Sequence, residues 1–208
     1  MKNYKTVQEE FWAGEFGDKF SDRAFSDIAM PVASSTALFS RVLSRTRNVK
    51  SVLEYGANFG QNLRAIKRLI PECTISAVEI NEKAVNTLKR WGEIDNIYHE
   101  SILDCRIKRK FDLVIIMGVL IHISPDCLDM VYDLIERTTG QYVFIGEYYS
   151  REPVSIDYRG KKERLFKRDF AGELLERFDS FSLLDYGFCY HRDPNFIHDD
   201  INWFLLEK

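Results

Sequence analysis

Apolar and polar positions divide the chain from Lys50 onward into short apolar runs separated by amphipathic stretches. Phe111 to Met117, FDLVIIM, is almost continuously apolar, which is typical of a central parallel strand covered by helices on both faces. Shorter runs end at Glu54 and cover Thr74 to Val78. Because strands alternate with helical patterns, we expect right-handed crossovers and a parallel sheet.

The complete pattern predicts an α/β fold with a seven-stranded sheet. Helices are expected at about Ala33 to Thr46, Gln61 to Leu69, Glu82 to Trp91, Pro125 to Thr138 and Asp169 to Phe178. Further strands are expected at about Asn96 to Glu100, Tyr142 to Glu147, Ser182 to Tyr190 and Asn202 to Glu207. Asp169 has a side chain that commonly caps the start of a helix.

The first strand ends in a loop that contains Glu54, Gly56, Asn58 and Gly60. Backbone without side chains at the start of a helix suits a nucleotide-like cofactor. The dinucleotide fingerprint Gly-x-Gly-x-x-Gly is not met, although Asn58 tolerates a left-handed backbone. Glu54 would repel a pyrophosphate and attract an ammonium group. An ordinary strand-to-helix turn would show the same pair of glycines.

A second carboxylate, Glu79, follows the second strand about 20 residues after the loop, the distance at which this kind of fold holds a ribose. We expect Glu79 to accept hydrogen bonds from both ribose hydroxyls, with Ile80 beside it. The alternative is a solvated charge that opens the helix of Asn81 to Trp91, where the helix dipole favours an acidic residue.

Composition agrees with one compact domain. The chain has 208 residues, is 45% hydrophobic and shows no linker-like tract. We expect a single domain, residues 1–208, in which a helical cap at 1–48 precedes a Rossmann-like core at 49–208. The aromatic residues of the cap, among them Phe11, Phe16 and Phe20, are expected mainly to pack it against the core.

Charge and cysteine usage restrict the partners and the compartment. A formal net charge of -3 gives no global attraction to nucleic acid or to an anionic membrane. The four cysteines are scattered, without the spacing of a metal site, and suit a reducing cytosol. This spacing leads us to expect a protein without a metal. The amino terminus lacks an apolar signal core, so we expect a cytoplasmic protein. The oligomeric state stays open.

The loop is similar to the first motif of class I S-adenosylmethionine-dependent methyltransferases, Glu/Asp-x-Gly-x-Gly-x-Gly, with Asn58 in place of the middle glycine. That class has a Rossmann-like, mostly parallel seven-stranded sheet with an antiparallel last strand and helices on both faces. The resemblance implies S-adenosylmethionine as cofactor and S-adenosylhomocysteine as product. It also implies that Ser101 and Ile102 meet the adenine and that Met117 lies beside the methionine portion.

Nearly the whole chain resembles one family more closely, the methylases associated with pseudaminic acid biosynthesis. The similar strings are QEEFWAGEFGD from Gln8, LEYGANFGQNL from Leu53, VEINEKA from Val78, GVLIHISPD from Gly118, EYYSREPVSIDYRG from Glu147, LFKRDFAGELL from Leu165, DYGFCYHRDPNF from Asp185 and DDINWFLLEK at the end. Membership implies a methyltransferase that acts beside nine-carbon acidic sugars.

Methyl transfer is an in-line displacement that mainly requires alignment and exclusion of water. His122 follows the fourth strand and is the candidate base; a structural hydrogen bond to backbone is the alternative. Tyr149, at the end of the fifth strand, is the second catalytic candidate because a phenol can orient an acceptor.

Candidate substrate contacts combine aromatic and basic side chains, since a guanidinium matches a carboxylate or phosphate. They are Trp12, Tyr148, Tyr158, Arg159, Arg168, His191 and Arg192. A loop-stabilising ion pair between Arg192 and Asp193 is an alternative for that segment.

These features predict a methyltransferase acting on an amino or hydroxyl group of a small, sugar-like and acidic acceptor, such as a nonulosonic acid or its precursor. Two alternatives remain: methylation of a protein or RNA group, and a regulatory or scaffold protein that binds the cofactor without turnover. A nicotinamide-dependent oxidoreductase is disfavoured by the failed glycine spacing.

Overall fold

A computed structural model describes residues 4–208, without the side chains of residues 24–26. Residues 1–3 of the expected cap lie outside this range. Three helices precede the first strand: α1 (Val7–Ala13), α2 (Glu15–Ser26) and α3 (Ala29–Leu43). Helix α3 begins four residues before the predicted Ala33, because Pro31 falls in its first turn, where a missing N–H is tolerated.

Strands and helices alternate through the middle of the chain as the pattern predicts. The elements are β1 (Ser51–Tyr55), α4 (Gln61–Leu69), β2 (Thr74–Val78), α5 (Glu82–Trp91), β3 (Asn96–Tyr98), β4 (Phe111–Met117), α6 (Leu128–Thr138) and β5 (Thr139–Glu147). Two 3₁₀ turns, Leu120–His122 and Pro125–Cys127, connect β4 to α6. The second turn replaces the first residues of the predicted helix at Pro125.

The last part of the chain contains a hairpin that the pattern did not predict. Strands β6 (Val154–Tyr158) and β7 (Lys161–Lys167) pair antiparallel in a separate two-stranded sheet. They are followed by α7 (Phe170–Arg177), β8 (Ser182–Cys189) and β9 (Ile201–Glu207). Asp169 caps α7 as expected, accepting a hydrogen bond from the Gly172 N–H at 2.9 Å.

The main sheet has seven strands in the order β3-β2-β1-β4-β5-β9-β8. Strand β9 lies between β5 and β8 and runs antiparallel to both, whereas the other pairs are parallel. The predicted antiparallel terminal pair and the Rossmann-like architecture are therefore confirmed.

Alternate residues of the central strands pack against opposite helical layers. On β4, Val114 and Ile116 belong to the apolar cluster with α6 and α7, whereas Leu113 and Ile115 belong to the cluster with α3, α4 and α5. Because both faces are covered, the carboxyl ends of the strands are where polar ligand groups collect. No helix among the described residues is long and apolar enough to cross a bilayer.

Candidate active site

A cavity of about 720 Å³ lies at the carboxyl ends of β1, β2, β4 and β5, under helices α1 and α2. The loop after β1 enters it in a left-handed conformation, with φ of 69° at Gly56, 47° at Asn58 and 78° at Gly60. Gly56 and Asn58 line the cavity. Gly60 does not, because it faces α5, where an added Cβ would be 2.8 Å from the Leu88 side chain.

Glu54, the residue before the last of β1, has a carboxylate that is almost completely buried, at 2% exposure. Its Oε1 accepts a hydrogen bond from Asn62 Nδ2 at 2.6 Å, and Ser35 Oγ donates to Asn62 Oδ1 at 2.7 Å. The Oε2 atom has no hydrogen-bond partner among the described residues. Burial raises the pKa of Glu54 to about 8 because desolvation disfavours the charged form. This carboxyl group is suited to a cation that enters the cavity.

Glu79 follows β2 and is also buried, at 7% exposure, so the alternative of a solvated charge does not fit. Its Oε2 accepts the N–H of Asn58 at 2.7 Å and its Oε1 accepts the N–H of Asn81 at 2.7 Å. Burial raises the pKa of Glu79 above its usual value. The N-cap of α5 is Asn81, whose side chain accepts the Ala84 N–H at 2.9 Å.

Four further residues expected to bind the cofactor line the same cavity: Ile80, Ser101, Ile102 and Met117. The Ile80 and Ile102 side chains are half-buried and present apolar surface. Ser101 Oγ accepts the Leu103 N–H at 3.0 Å, which fixes the turn after β3. The cavity thus has an apolar region beside Glu79 and a polar region beside Glu54.

His122 makes the structural hydrogen bond that its sequence context allowed. Its Nδ1 lies 2.5 Å from the carbonyl oxygen of Arg164, and because a carbonyl only accepts, Nδ1 carries the hydrogen. The lone pair of Nε2 therefore remains available on a ring that lines the cavity. Burial lowers the pKa of His122 to about 4, so the imidazole is neutral near pH 7.

Two aromatic rings from distant segments flank His122. The ring centroid of Trp12, on α1, is 4.6 Å from the imidazole, and that of Tyr158, at the end of β6, is 5.2 Å from it. Trp12, Tyr148 and Tyr158 line the cavity. The indole Nε1 of Trp12 is buried without a hydrogen-bond partner among the described residues. Helix α1 and the hairpin therefore build the wall of the cavity beside His122.

Tyr149 does not reach this cavity and its proposed catalytic role finds no support there. Side chains alternate in an extended chain, so Tyr148 points inward, whereas Tyr149 is 41% exposed with its ring 6.2 Å from that of Phe204. The backbone of Tyr149 is bridged to Arg168.

The predicted basic contacts also lie away from the cavity. Arg168 Nε donates to Glu173 Oε1 at 2.6 Å, and Arg159 occupies the turn of the β6–β7 hairpin with a φ of 49°. Arg192 does not line the cavity, although His191 does. Asp193 accepts hydrogen bonds from the N–H groups of Asn195 and Phe196, both at 2.8 Å. It therefore stabilises its loop through backbone hydrogen bonds and not through an ion pair with Arg192.

Several residues of the cavity were not predicted from sequence, among them Asn62 and Glu147. Asn62, in the first turn of α4, orients Glu54, and only its place directly after the glycine loop could have signalled this. Glu147 was recognised as a strand end but not as a site residue. Its Oε1 accepts the N–H groups of Val119 at 2.9 Å and Leu120 at 2.8 Å, and burial raises its pKa to about 8.

No family model matches the sequence, and no curated protein sequence matches it. Solved structures do align with it. The 1,6-didemethyltoxoflavin-N1-methyltransferase of Burkholderia thailandensis, with its substrate and S-adenosylhomocysteine bound, is 16% identical with a TM-score of 0.71, over 100% of this chain and 93% of that chain. The magnesium protoporphyrin IX methyltransferase of Synechocystis PCC 6803, with S-adenosylmethionine bound, is 15% identical with a TM-score of 0.66, over 100% of both chains.

The N-methyltransferase NodS of Bradyrhizobium japonicum is 17% identical, with a TM-score of 0.61, over 84% of this chain and 93% of that chain. The substrates in these proteins differ in size and chemistry, so the likeness concerns the framework. The chain has the fold of the class I S-adenosylmethionine-dependent methyltransferases.

Proposed function

We propose that the protein is a methyltransferase that uses S-adenosylmethionine and releases S-adenosylhomocysteine. One observation carries the proposal: two buried carboxylates, Glu54 and Glu79, end the adjacent strands β1 and β2 and flank a left-handed loop in one cavity. A cation and a diol are the groups that such a pair recognises. Solved proteins with this fold bind S-adenosylmethionine or S-adenosylhomocysteine.

In this proposal Glu54 Oε2, which has no hydrogen-bond partner among the described residues, accepts a hydrogen bond from the methionine ammonium group. The loop from Gly56 to Phe59, which lines the cavity, follows the cofactor backbone, and Glu79 accepts hydrogen bonds from the ribose hydroxyls. Ile80, Ser101 and Ile102 surround the adenine, and Met117 lies beside the methionine chain.

The acceptor is proposed to enter on the side of His122. The Nε2 lone pair accepts a hydrogen bond from an acceptor N–H or O–H, while Trp12 and Tyr158 exclude water from the reacting atoms. Burial and the neighbouring Asp199, which lines the cavity as well, raise the pKa of the Tyr148 hydroxyl above its usual value. As the acceptor heteroatom attacks the methyl carbon, the carbon–sulfur bond breaks and its electron pair returns to sulfur. The proton that the heteroatom loses passes to His122 Nε2 and from there to solvent, since the pKa of His122 is about 4.

The nature of the acceptor rests on the closer family resemblance, which supports a small sugar-like molecule, such as a nonulosonic acid or its precursor, methylated on an amino or hydroxyl group. Arg23 is the arginine that lines the cavity among the described residues. It is therefore the candidate partner for an acidic group of the acceptor. The single domain, with residues 1–48 as its cap, and the cytoplasmic location remain predictions from length, composition and the amino-terminal sequence.

Isothermal titration with S-adenosylhomocysteine tests the cofactor site. We expect Glu54→Ala and Glu79→Ala each to weaken binding by about tenfold or more, since each removes a charge-assisted hydrogen bond of about 1.5–3 kcal/mol. Glu82→Ala is the matched control, because Glu82 is an exposed acid three residues after Glu79. Undiminished affinity in both cavity variants would contradict the proposal.

Turnover is tested separately by measuring S-adenosylhomocysteine released from S-adenosylmethionine in the presence of amino sugars, neutral sugars and sugar acids. Methyl release with at least one acceptor is expected. Cofactor binding without release from any acceptor would favour the regulatory alternative.

A further inference from the structure

Glu79 holds the backbones of two asparagines that belong to different elements. Asn58 lies in the loop after β1 and Asn81 caps α5, and each donates its N–H to one oxygen of the carboxylate at 2.7 Å. A carboxylate oxygen has two acceptor positions, so each oxygen can still receive a ribose hydroxyl. A ligand that holds the Glu79 carboxylate in place therefore also holds the backbones of Asn58 and Asn81 in place.

The side chains of both asparagines contact the segment α1–α2, Val7–Ser26, which we call the lid. Asn58 Oδ1 accepts a hydrogen bond from Ser21 Oγ at 2.8 Å. Asn81 Nδ2 donates to Asp18 Oδ1 at 2.8 Å and to the backbone oxygen of Trp12 at 3.2 Å. Asn58 stands where the class I motif has glycine, so this contact needs the side chain that departs from the motif.

Hydrogen bonds and contacts of half-buried aromatic rings hold the lid against the rest of the chain. Its large apolar side chains whose positions are described, Phe11, Trp12, Phe16 and Phe20, are only half-buried. Gly17 packs closely against Asn81, because a Cβ there would overlap the Trp12 carbonyl and lie 3.0 Å from Asn81 Nδ2. A segment with little fully buried apolar surface opens at low free-energy cost, so a few hydrogen bonds are enough to shift its position.

We propose that Asn58 and Asn81 are positioning residues that couple the ribose of the cofactor at Glu79 to closure of the lid, which brings Trp12 over the acceptor side of the cavity. This rests on the proposed function. Coupling between sites is reciprocal, so a closed lid strengthens cofactor binding as the cofactor strengthens closure. Cofactor binding thereby completes the wall beside His122 before the acceptor is held.

Asp18→Ala tests the coupling, because Asp18 contacts Asn81 but does not line the cavity. The probes are adenosine and 2′,3′-dideoxyadenosine, which differ only in the ribose hydroxyls. We expect Asp18→Ala to weaken adenosine binding about fivefold, the value of one hydrogen bond, and to leave dideoxyadenosine binding unchanged. Glu15→Ala is the control, since Glu15 is an exposed acid of the same helix whose ion pair with Lys19 stays within α2.

Amide hydrogen exchange supplies the second readout. In the unaltered protein, adenosine should slow exchange in the lid and dideoxyadenosine should not; in Asp18→Ala, adenosine should lose that effect. Ser21→Ala, which removes the other contact, is the second variant if Asp18→Ala does not fold.

Equal adenosine affinity in the unaltered protein and in the lid variants, or lid exchange that is the same with both nucleosides, would overturn the coupling while leaving the cofactor site intact. Failure of the unaltered protein to bind either S-adenosylhomocysteine or adenosine would instead contradict the proposed function, and the coupling with it.

Discussion

Burial determines the chemistry of the cavity residue by residue. Glu54, Glu79 and Glu147 end or follow three strands of one sheet, and each has a raised pKa because little water reaches it. A buried carboxyl group without a cationic partner retains its proton to a higher pH than an exposed one. The cavity is therefore less negative at neutral pH than its three carboxyl groups suggest, and its charge changes when a cation enters.

Cofactor binding should release a proton from Glu54. Burial raises its pKa to about 8, so it is mostly protonated at pH 7; an ammonium group favours the carboxylate and lowers that pKa. Binding should then release about one proton at pH 7, and affinity should rise from about pH 6 to pH 8 and level off above the free pKa. Titration in phosphate and in Tris, whose ionisation enthalpies differ, measures the release.

The control for this release is Glu147→Gln. Glu147 has a similar pKa of about 8 but is not assigned to the ammonium group, so this variant should still release the proton. Glu54→Gln should bind more weakly and without release. Release that persists in Glu54→Gln would show that another group supplies the proton.

His122→Asn separates the two readings of the histidine. The amide can still donate to the Arg164 carbonyl, but the Nε2 lone pair is lost. If His122 accepts the acceptor proton, turnover should fall about 100-fold or more, while affinity for S-adenosylhomocysteine stays within about twofold. At saturating cofactor, the turnover of the unaltered enzyme should show no titration of His122 near pH 6.5, because the pKa of His122 is lowered to about 4. Undiminished turnover would leave the histidine a purely structural role.

At the scale of elements, apolar runs located the parallel strands because both faces of those strands are buried. The limits of α4 and α5 agree with the pattern as well. The β6–β7 hairpin escaped prediction because its exposed positions carry charges, as in Lys161 and Lys162, so its sequence resembles a basic surface loop. Its place against His122 depends on contacts with distant segments, which local periodicity does not report.

The central strand should contribute far more stability than the hairpin. Ile115 is fully buried in β4 between β1 and β5, so Ile115→Ala should lower the free energy of unfolding by about 2–5 kcal/mol. Val154, on β6, is 43% exposed, and Val154→Ala should change it by about 0.5 kcal/mol or less. Urea denaturation followed by circular dichroism measures both. Similar losses would mean that the hairpin is part of the cooperative core.

Across the whole molecule, the two halves of the cavity differed in how far sequence could predict them. The cofactor half follows from the sheet, because parallel strands bring Glu54 and Glu79 to one edge wherever the fold forms. The acceptor half joins Trp12, His122 and Tyr158, which are far apart in sequence and meet only through the lid and the hairpin. The arginines were misplaced for that reason: a basic run in sequence says little about which side chains face inward.

A crystal structure of the protein with S-adenosylhomocysteine is the most direct test of the central claim. The account predicts the amino group of the ligand within hydrogen-bond distance of Glu54, about 3 Å, and both ribose hydroxyls at the same distance from Glu79. An empty cavity at saturating ligand, or a ligand bound without contact to either carboxylate, would contradict it.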